Sequence, residues 1–162
     1  GDGPEDHISP YYSSGTQASP LLIAHNKLRG GGPSMSGGGI LAGDYDGEYV
    51  EIRGNILVNP GQYGLAIAGG RNHRLIDNVV YAPDSFPWSN NGLFVWGQYE
   101  EVAACSGHEV RGNRVHFVDK TGNPNAGWNA GNCGAIAGWS ENVFDDATLT
   151  MDVWDTIIPE CQ

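Results

Sequence analysis

GEYVEIRGNILVNPGQYGLAIAGG, Gly47 to Gly70, contains two short alternating runs separated by two bends. Val50 and Ile52 are apolar, and the charged Glu51 and Arg53 alternate with them, the period-two pattern of a strand with one buried face. Gly54-Asn55 breaks that run, with Leu57 just beyond it. Asn59-Pro60-Gly61 is a second turn signal, and Gly64-Leu65-Ala66-Ile67-Ala68 alternates again until Gly69-Gly70 ends it. Two strands and two corners make one coil.

The same template fits on both sides. Setting Asn55 over Asn26, Asn78, Asn113 and Asn142 gives an apolar residue two places after each: Leu28, Leu57, Val80, Val115 and Phe144. Three places before stand Ile23, Ile52, Leu75 and Val110. The second strand recurs as Gly39-Ile40-Leu41-Ala42, Gly92-Leu93-Phe94-Val95 and Gly134-Ala135-Ile136-Ala137. A repeat of this length built from strands predicts a parallel β-solenoid, whose coils bury their inner faces by stacking on one another.

On EDHIS (Glu5 to Ser9), RGGGPSMSGGGI (Arg29 to Ile40), NPGQYGLAIAGG (Asn59 to Gly70) and GNCG (Gly131 to Gly134), the chain resembles the right-handed parallel β-helices of the pectate-lyase-like superfamily. It is similar in particular to secreted bacterial β-helix repeat proteins. The resemblance covers roughly residues 4 to 144 and implies an all-β fold, a right-handed parallel β-helix of five to six coils with long loops on one side. It also implies carbohydrate as ligand, while fold alone does not establish chemistry.

Twenty-five glycines in 162 residues suit corners that need positive φ. No apolar run reaches the roughly 18 residues of a membrane span. The net charge of -11 disfavours nucleic acid, and a polyuronate would need a bridging cation, so a neutral or weakly charged glycan or a protein partner fits better. An acidic surface also simply keeps a secreted protein soluble. Cys105 and Cys133 lie 28 residues apart, close to one coil, so stacking is expected to join them in a disulfide, with Cys161 left over. The localisation this implies is secreted, extracellular or periplasmic.

The solenoid is expected over residues 1–144, beginning in mid-coil because His7-Ile8-Ser9 matches Gly64-Leu65-Ala66 with no first strand before it. That open edge suggests either a fragment or self-association through the first coil. Residues 145–162 are expected to form an extended C-terminal capping segment. The Gly-rich loop Arg29 to Gly39 lacks the Gly-Lys-Ser/Thr of a phosphate cradle. The loops at 81–91 and 118–132 carry Trp88 and Trp128 and should stack on one side.

Asn26, Asn55, Asn78, Asn113 and Asn142 are expected to form an amide ladder. Leu22, Glu51, Arg74 and Glu109 fall in one outward column, a charge ladder. His25, His73, His108 and His116 read as structural or exposed. On the second strand the outward column is Ser9, Leu41, Ala66 and Phe94, with Trp96 two places on. Phe94 and Trp96, with Trp88 and Trp128, are candidates for a platform under pyranose rings, or for a satellite core beneath the loops. The best acidic cluster is Glu5, Asp6 and His7 beside Asp44 and Asp46, which offers a carboxylate pair of the kind glycoside hydrolysis uses. Calcium held there near Arg29 or Lys27 would instead suit a lyase. Two functions are consistent with these residues: a carbohydrate-binding protein, with or without cleavage of the lyase or hydrolase type, and a non-catalytic solenoid assembling into an extracellular fibre or scaffold.

Overall fold

A computed structural model describes residues 5–101 and 103–158. The chain passes through β1 (Leu21–Ala24), β2 (Lys27–Arg29) and β3 (Ile40–Ala42), then repeats the circuit with β4 (Val50–Arg53), β5 (Ile56–Val58) and β6 (Tyr63–Ile67). The third circuit is β7 (Gly70–Arg71), β8 (Arg74–Ile76), β9 (Val79–Ala82) and β10 (Asn91–Val95). The fourth is β11 (Cys105–Ser106), β12 (Glu109–Arg111), β13 (Arg114–Phe117) and β14 (Gly127–Asn129), with β15 (Val143–Phe144) after it. Every named strand pairs in parallel, in the orders β1-β4-β8-β12 (sheet 1), β2-β5-β9-β13-β15 (sheet 2) and β3-β6-β10-β14 (sheet 3), with β7 and β11 as a short fourth pair. The protein is all-β, made of stacked parallel sheets, and is compatible with a parallel β-helix.

The registers are those set by the asparagines. Ile23, Ile52, Leu75 and Val110 pair in sequence on sheet 1. Leu28, Leu57, Val80, Val115 and Phe144 do so on sheet 2. Ile40, Leu65 and Leu93 face them from sheet 3. Complete burial of each such Leu or Ile is worth roughly 1.5–3 kcal/mol. His7 and Ile8 form a first rung on sheet 3, Ile8 bridging Ile40, which is the register expected for them.

Between sheets 1 and 2 the chain turns through one residue in the left-handed region: His25 (φ 57°), Gly54 (61°), Asp77 (52°) and Gly112 (67°). A ladder asparagine comes directly after each. The Oδ1 of Asn78 accepts both the backbone N–H (3.0 Å) and the side-chain Nδ2–H (2.9 Å) of Asn55, and Nδ2 of Asn78 donates to Ile52 O and to Asn113 Oδ1. The pattern runs from Asn26 through Asn55, Asn78 and Asn113 to Asn142. Asn55, Asn78 and Asn113 have no exposed surface, so each circuit's corner amide is satisfied by the next circuit.

A second ladder stands one corner earlier. Val50 N–H donates to His73 Nδ1 (3.1 Å), His73 N–H donates to His108 Nδ1 (3.2 Å), and the two rings stack 5.4 Å apart. Burial pushes His73 down to about 3, with the His108 and Arg71 charges adding to the effect, and burial pushes His108 down to about 4. These two histidines are structural, and they form one aligned column.

Two sequence expectations change. The rung that follows β10 on sheet 3 is Gly127-Trp128-Asn129, paired with Leu93-Phe94-Val95, and not Gly134-Ala135-Ile136-Ala137. Ala137 instead bridges Glu109 of sheet 1. Gly127 has no side chain because the Phe144 ring fills its place, a Cβ there falling 2.3 Å from Phe144 Cε1. The C-terminal segment is also not simply extended. Met151–Asp155 is a 3₁₀ turn packed on β5 and β9, and Lys27 Nζ donates to Trp154 O at 2.6 Å. The segment therefore runs back along the outside of sheet 2, while Ile136, Trp139 and Phe144 cover the end of the core.

Asn78→Ala orphans the Asn55 donors, Ile52 O and one acceptance at Asn113 Oδ1, and is expected to cost about 3–5 kcal/mol. Asn26→Ala, at the half-buried end, should cost about 1 kcal/mol or less. Urea unfolding of both variants measures the gradient along the ladder. The histidine column makes stability fall on acidification. Because the folded values of His73 and His108 lie below the unfolded 6.5, the unfolded chain takes up protons first. Stability is complete above pH 6.5 and falls as pH drops toward 4, by at most about 2.7 kcal/mol per pH unit for the pair. Urea midpoints between pH 6.5 and 4.5 should show this slope, and the His73→Asn/His108→Asn double variant should flatten it.

Candidate functional site

Sheet 3 carries a groove of about 600 Å³ on its outer face. Parallel register makes columns across its strands: Leu41, Ala66, Phe94 and Trp128 lie in one line, with Trp96 just past the end of β10. Trp96 and Trp128 are 38% and 48% exposed, with ring centroids 6.2 Å apart, and Phe94 stands 6.5 Å from Trp128 and 5.3 Å from Tyr63. Large aromatic rings left half in water on one face are surface available for contact.

Three residues back along the strands stand Tyr63, Asn91 and Asn125. Tyr63 pairs with Asn91, and Asn91 Nδ2 donates to Asn125 Oδ1 at 2.9 Å. Gln62, Asn90 and Gln98 also line the groove, as does Ser36 from the Gly-rich loop. Asn91 is only 4% exposed, and its Oδ1 has no partner among the described residues. None of the described lining residues is charged, in a chain of net charge -11. The glycines that start the strands allow this face to sit close on the core. A Cβ on Gly64 would lie 2.4 Å from Gly92 O and 2.7 Å from Val80 Cγ1.

The acidic cluster splits. Asp6 Oδ1 accepts Tyr63 Oη–H (2.5 Å) and Gly38 N–H (2.8 Å), so this carboxylate holds a groove-lining ring. Burial raises the Asp6 pKa; the Tyr63 and Gly38 bonds lower it in part, and the nearby Asp44 and Glu5 charges raise it further. Asp44 accepts Tyr99 Oη–H (3.0 Å) and Ser9 Oγ–H (3.1 Å). Burial and the Asp44 bond push Tyr99 up to about 12, and burial next to Asp6 pushes Tyr63 well above its ordinary value. The other two candidates make different contacts. His7 Nε2 meets Gly30 O at 2.5 Å, and Asp46 acts on Arg71, its Oδ1 unpartnered among the described residues. Trp88 stacks on Phe86 at 5.1 Å inside its loop and is not among the groove residues.

Cys105 and Cys133 form a disulfide, tying the stretch after Trp96 to the loop after Trp128. Cys161 lies outside the described residues. Among the described residues, the one group of three close metal-ligand types is Cys105, His108 and Cys133. Its chemistry does not fit a metal. The sulfurs are bonded to each other, and His108 Nδ1 accepts a backbone N–H, which leaves the ring proton on Nε2, the atom 3.3 Å from Cys105 Sγ. The carboxylates of Asp6, Asp44 and Asp46 form no such group.

No family model matches the chain, and no curated protein or solved structure matches it. The amide half of the groove was not foreseen from sequence, although Asn90-Asn91 and Asn125 stand at matching distances before Phe94 and Trp128, and Gln62 stands before Ala66.

The Asp6 carboxyl should titrate above 3.8 by ¹³C NMR, and Tyr63→Phe, which removes the donor that lowers it, should move it higher still. A downward shift in the variant would contradict the Asp6–Tyr63 bond.

Proposed function

We propose that the protein is a secreted right-handed parallel β-helix of the pectate-lyase-like type that binds neutral polysaccharide on the outer face of sheet 3. The observation that carries this reading is an uncharged groove, half aromatic and half amide, on a strongly acidic chain. Sugars present C–H faces that pack on Phe94, Trp96 and Trp128, and hydroxyls that pair with Gln62, Asn91 and Asn125. A polyuronate finds no cation on this face. The disulfide supports an oxidising compartment.

Asp6 and Asp44 are given a positioning role. Each carboxylate fixes a tyrosine hydroxyl, Tyr63 and Tyr99 respectively, and so holds the ring in place. Binding, rather than cleavage, is what the arrangement supports best.

Affinity electrophoresis through gels containing neutral plant or microbial polysaccharides tests the reading. Retardation should be largely lost in Trp96→Ala and in Trp128→Ala, each by tenfold or more in affinity, and kept in Trp88→Ala. Retardation that needs Trp88 and not Trp96 would place the ligand elsewhere.

A further inference from the structure

The corner that follows sheet 3 carries a cluster that the carbohydrate reading does not use and on which that reading does not depend. Four of the chain's seven tyrosines meet there. Tyr11 and Tyr12 come ahead of β1, Tyr45 just past β3 and Tyr99 past β10. Tyr45 is the shared member, its ring centroid 6.0 Å from Tyr11, 5.7 Å from Tyr12 and 5.5 Å from Tyr99. On the circuit between Tyr45 and Tyr99 this corner is Gly69-Gly70, which puts no side chain between the two rings; a Cβ on Gly69 would lie 3.8 Å from Tyr99 Cδ2. Burial does not account for the cluster, since Tyr11 and Tyr12 are 63% and 62% exposed and Tyr45 is 37% exposed. Tyr12 (φ 47°) and Tyr45 (φ 75°) also take the left-handed backbone that bulky side chains rarely adopt. Strain of that kind gathers at functional positions. Tyr11, Tyr12 and Tyr45 line neither the large groove nor the smaller one from Trp96 to Glu101, so a bound ligand does not account for them either.

Neighbouring phenols that are open to water couple when each is oxidised by one electron. We propose that Tyr45 and the Tyr11-Tyr12 pair form an oxidative cross-linking site, at which a haem peroxidase with hydrogen peroxide joins Tyr45 to one of the two as dityrosine. Each phenol gives up one electron and its hydroxyl proton, and the two phenoxyl radicals form a C–C bond between ring carbons ortho to the oxygens. The displaced ortho hydrogens move to the oxygens and restore both phenols. Each cross-link therefore releases two electrons and two protons, which one hydrogen peroxide takes up to become two waters. Holding the rings in one cluster makes the coupling step unimolecular and favours it over coupling between molecules. Tyr99 is half-buried and its Oη–H is held by Asp44 at 3.0 Å, so its ring braces Tyr45 and is not the coupling partner. The link ties residues 11–12 to the next circuit, where Tyr12 N–H already donates to Asp44 O at 3.0 Å. The Cys105–Cys133 disulfide is a covalent tie of the same kind, made under the same oxidising conditions.

Treating the full chain, at high dilution, with a haem peroxidase and limiting hydrogen peroxide tests this. The expected product is a monomer that has lost two hydrogens in mass and shows the blue fluorescence of dityrosine. Trypsin cuts after Lys27, Arg29, Arg53, Arg74 and Arg111, so the Tyr11-Tyr12 pair, Tyr45 and Tyr99 fall in separate peptides. The peptide ending at Lys27 should be found joined to 30–53. Tyr45→Phe keeps the ring and removes the phenol, and should lower the yield about tenfold or more by taking away the preplaced partner. Tyr99→Phe should leave the yield largely unchanged, as should Tyr81→Phe, whose ring stacks on His116 away from the cluster. Linkage between molecules alone, linkage of 30–53 to the peptide carrying Tyr99, a yield that survives Tyr45→Phe, or the absence of dityrosine overturns the inference. Each of these results leaves the carbohydrate reading untouched, because that reading is tested by gel retardation and by Trp96 and Trp128.

Discussion

At each turn from the first sheet into the second, a peptide N–H is carried to the inside of the bend, away from water and out of reach of its own strand's partners. The side-chain oxygen of the next asparagine takes it, and that asparagine's Nδ2 returns a bond to a carbonyl one circuit back, as Asn78 does with Asn55 and Ile52. No circuit can satisfy its own corner. The apolar columns give the stack its driving force, but these amides fix how the circuits are phased, because a slip by one residue would strand the corner donors and turn each inner side chain outward. The neutral histidines His73 and His108 apply the same solution one corner earlier, with Nδ1 in place of an amide oxygen.

That constraint explains what could be read from the chain. The asparagine spacing is uneven, yet it fixed the register of sheets 1 and 2, since every loop insertion falls between corners and none falls within them. The Cys105–Cys133 pairing was legible for the same reason: both residues lie about one circuit apart. Where a rung carries no inner apolar residue, the pattern is silent. Gly127-Trp128-Asn129 looks like loop because its inner space is taken by Phe144, so Trp128 reads as a loop residue although it belongs to a strand. The histidine column was hidden by its polarity, a ring on a buried corner being indistinguishable in sequence from one in water. Leu149 to Val153 alternates apolar and polar residues like a strand and runs into the turn at Met151–Asp155, whose conformation is decided by contact with β5 and β9.

Parallel stacking gives all three outer faces the same geometry, so their difference lies in side chains alone. On sheet 1, Arg74 bridges Glu51 at 2.6 Å and Glu109 at 2.7 Å, with Arg53 and Arg111 closing the ends. Glu51 is thereby only 6% exposed although it points outward. The arginine heads stay in water, so such pairs contribute ~0.2–1 kcal/mol each; their larger effect is to commit the face to itself, since a ligand would have to displace a partner already in place.

Sheet 2 is closed by a different route. Ile56 and Val58 alternate outward from the inner Leu57, and both are nevertheless buried, because the returning C-terminal segment lies over β5. Trp154 is held there by the Lys27 bond to its carbonyl and by Lys27 and Arg29 over its ring, at 5.7 and 5.8 Å. With ion pairs filling one face and the chain's own tail covering another, sheet 3 is the face whose rings stay half in water. The groove on that face is lined by uncharged residues in a chain of net charge -11, so rings and amides, not charges, are what it presents to water.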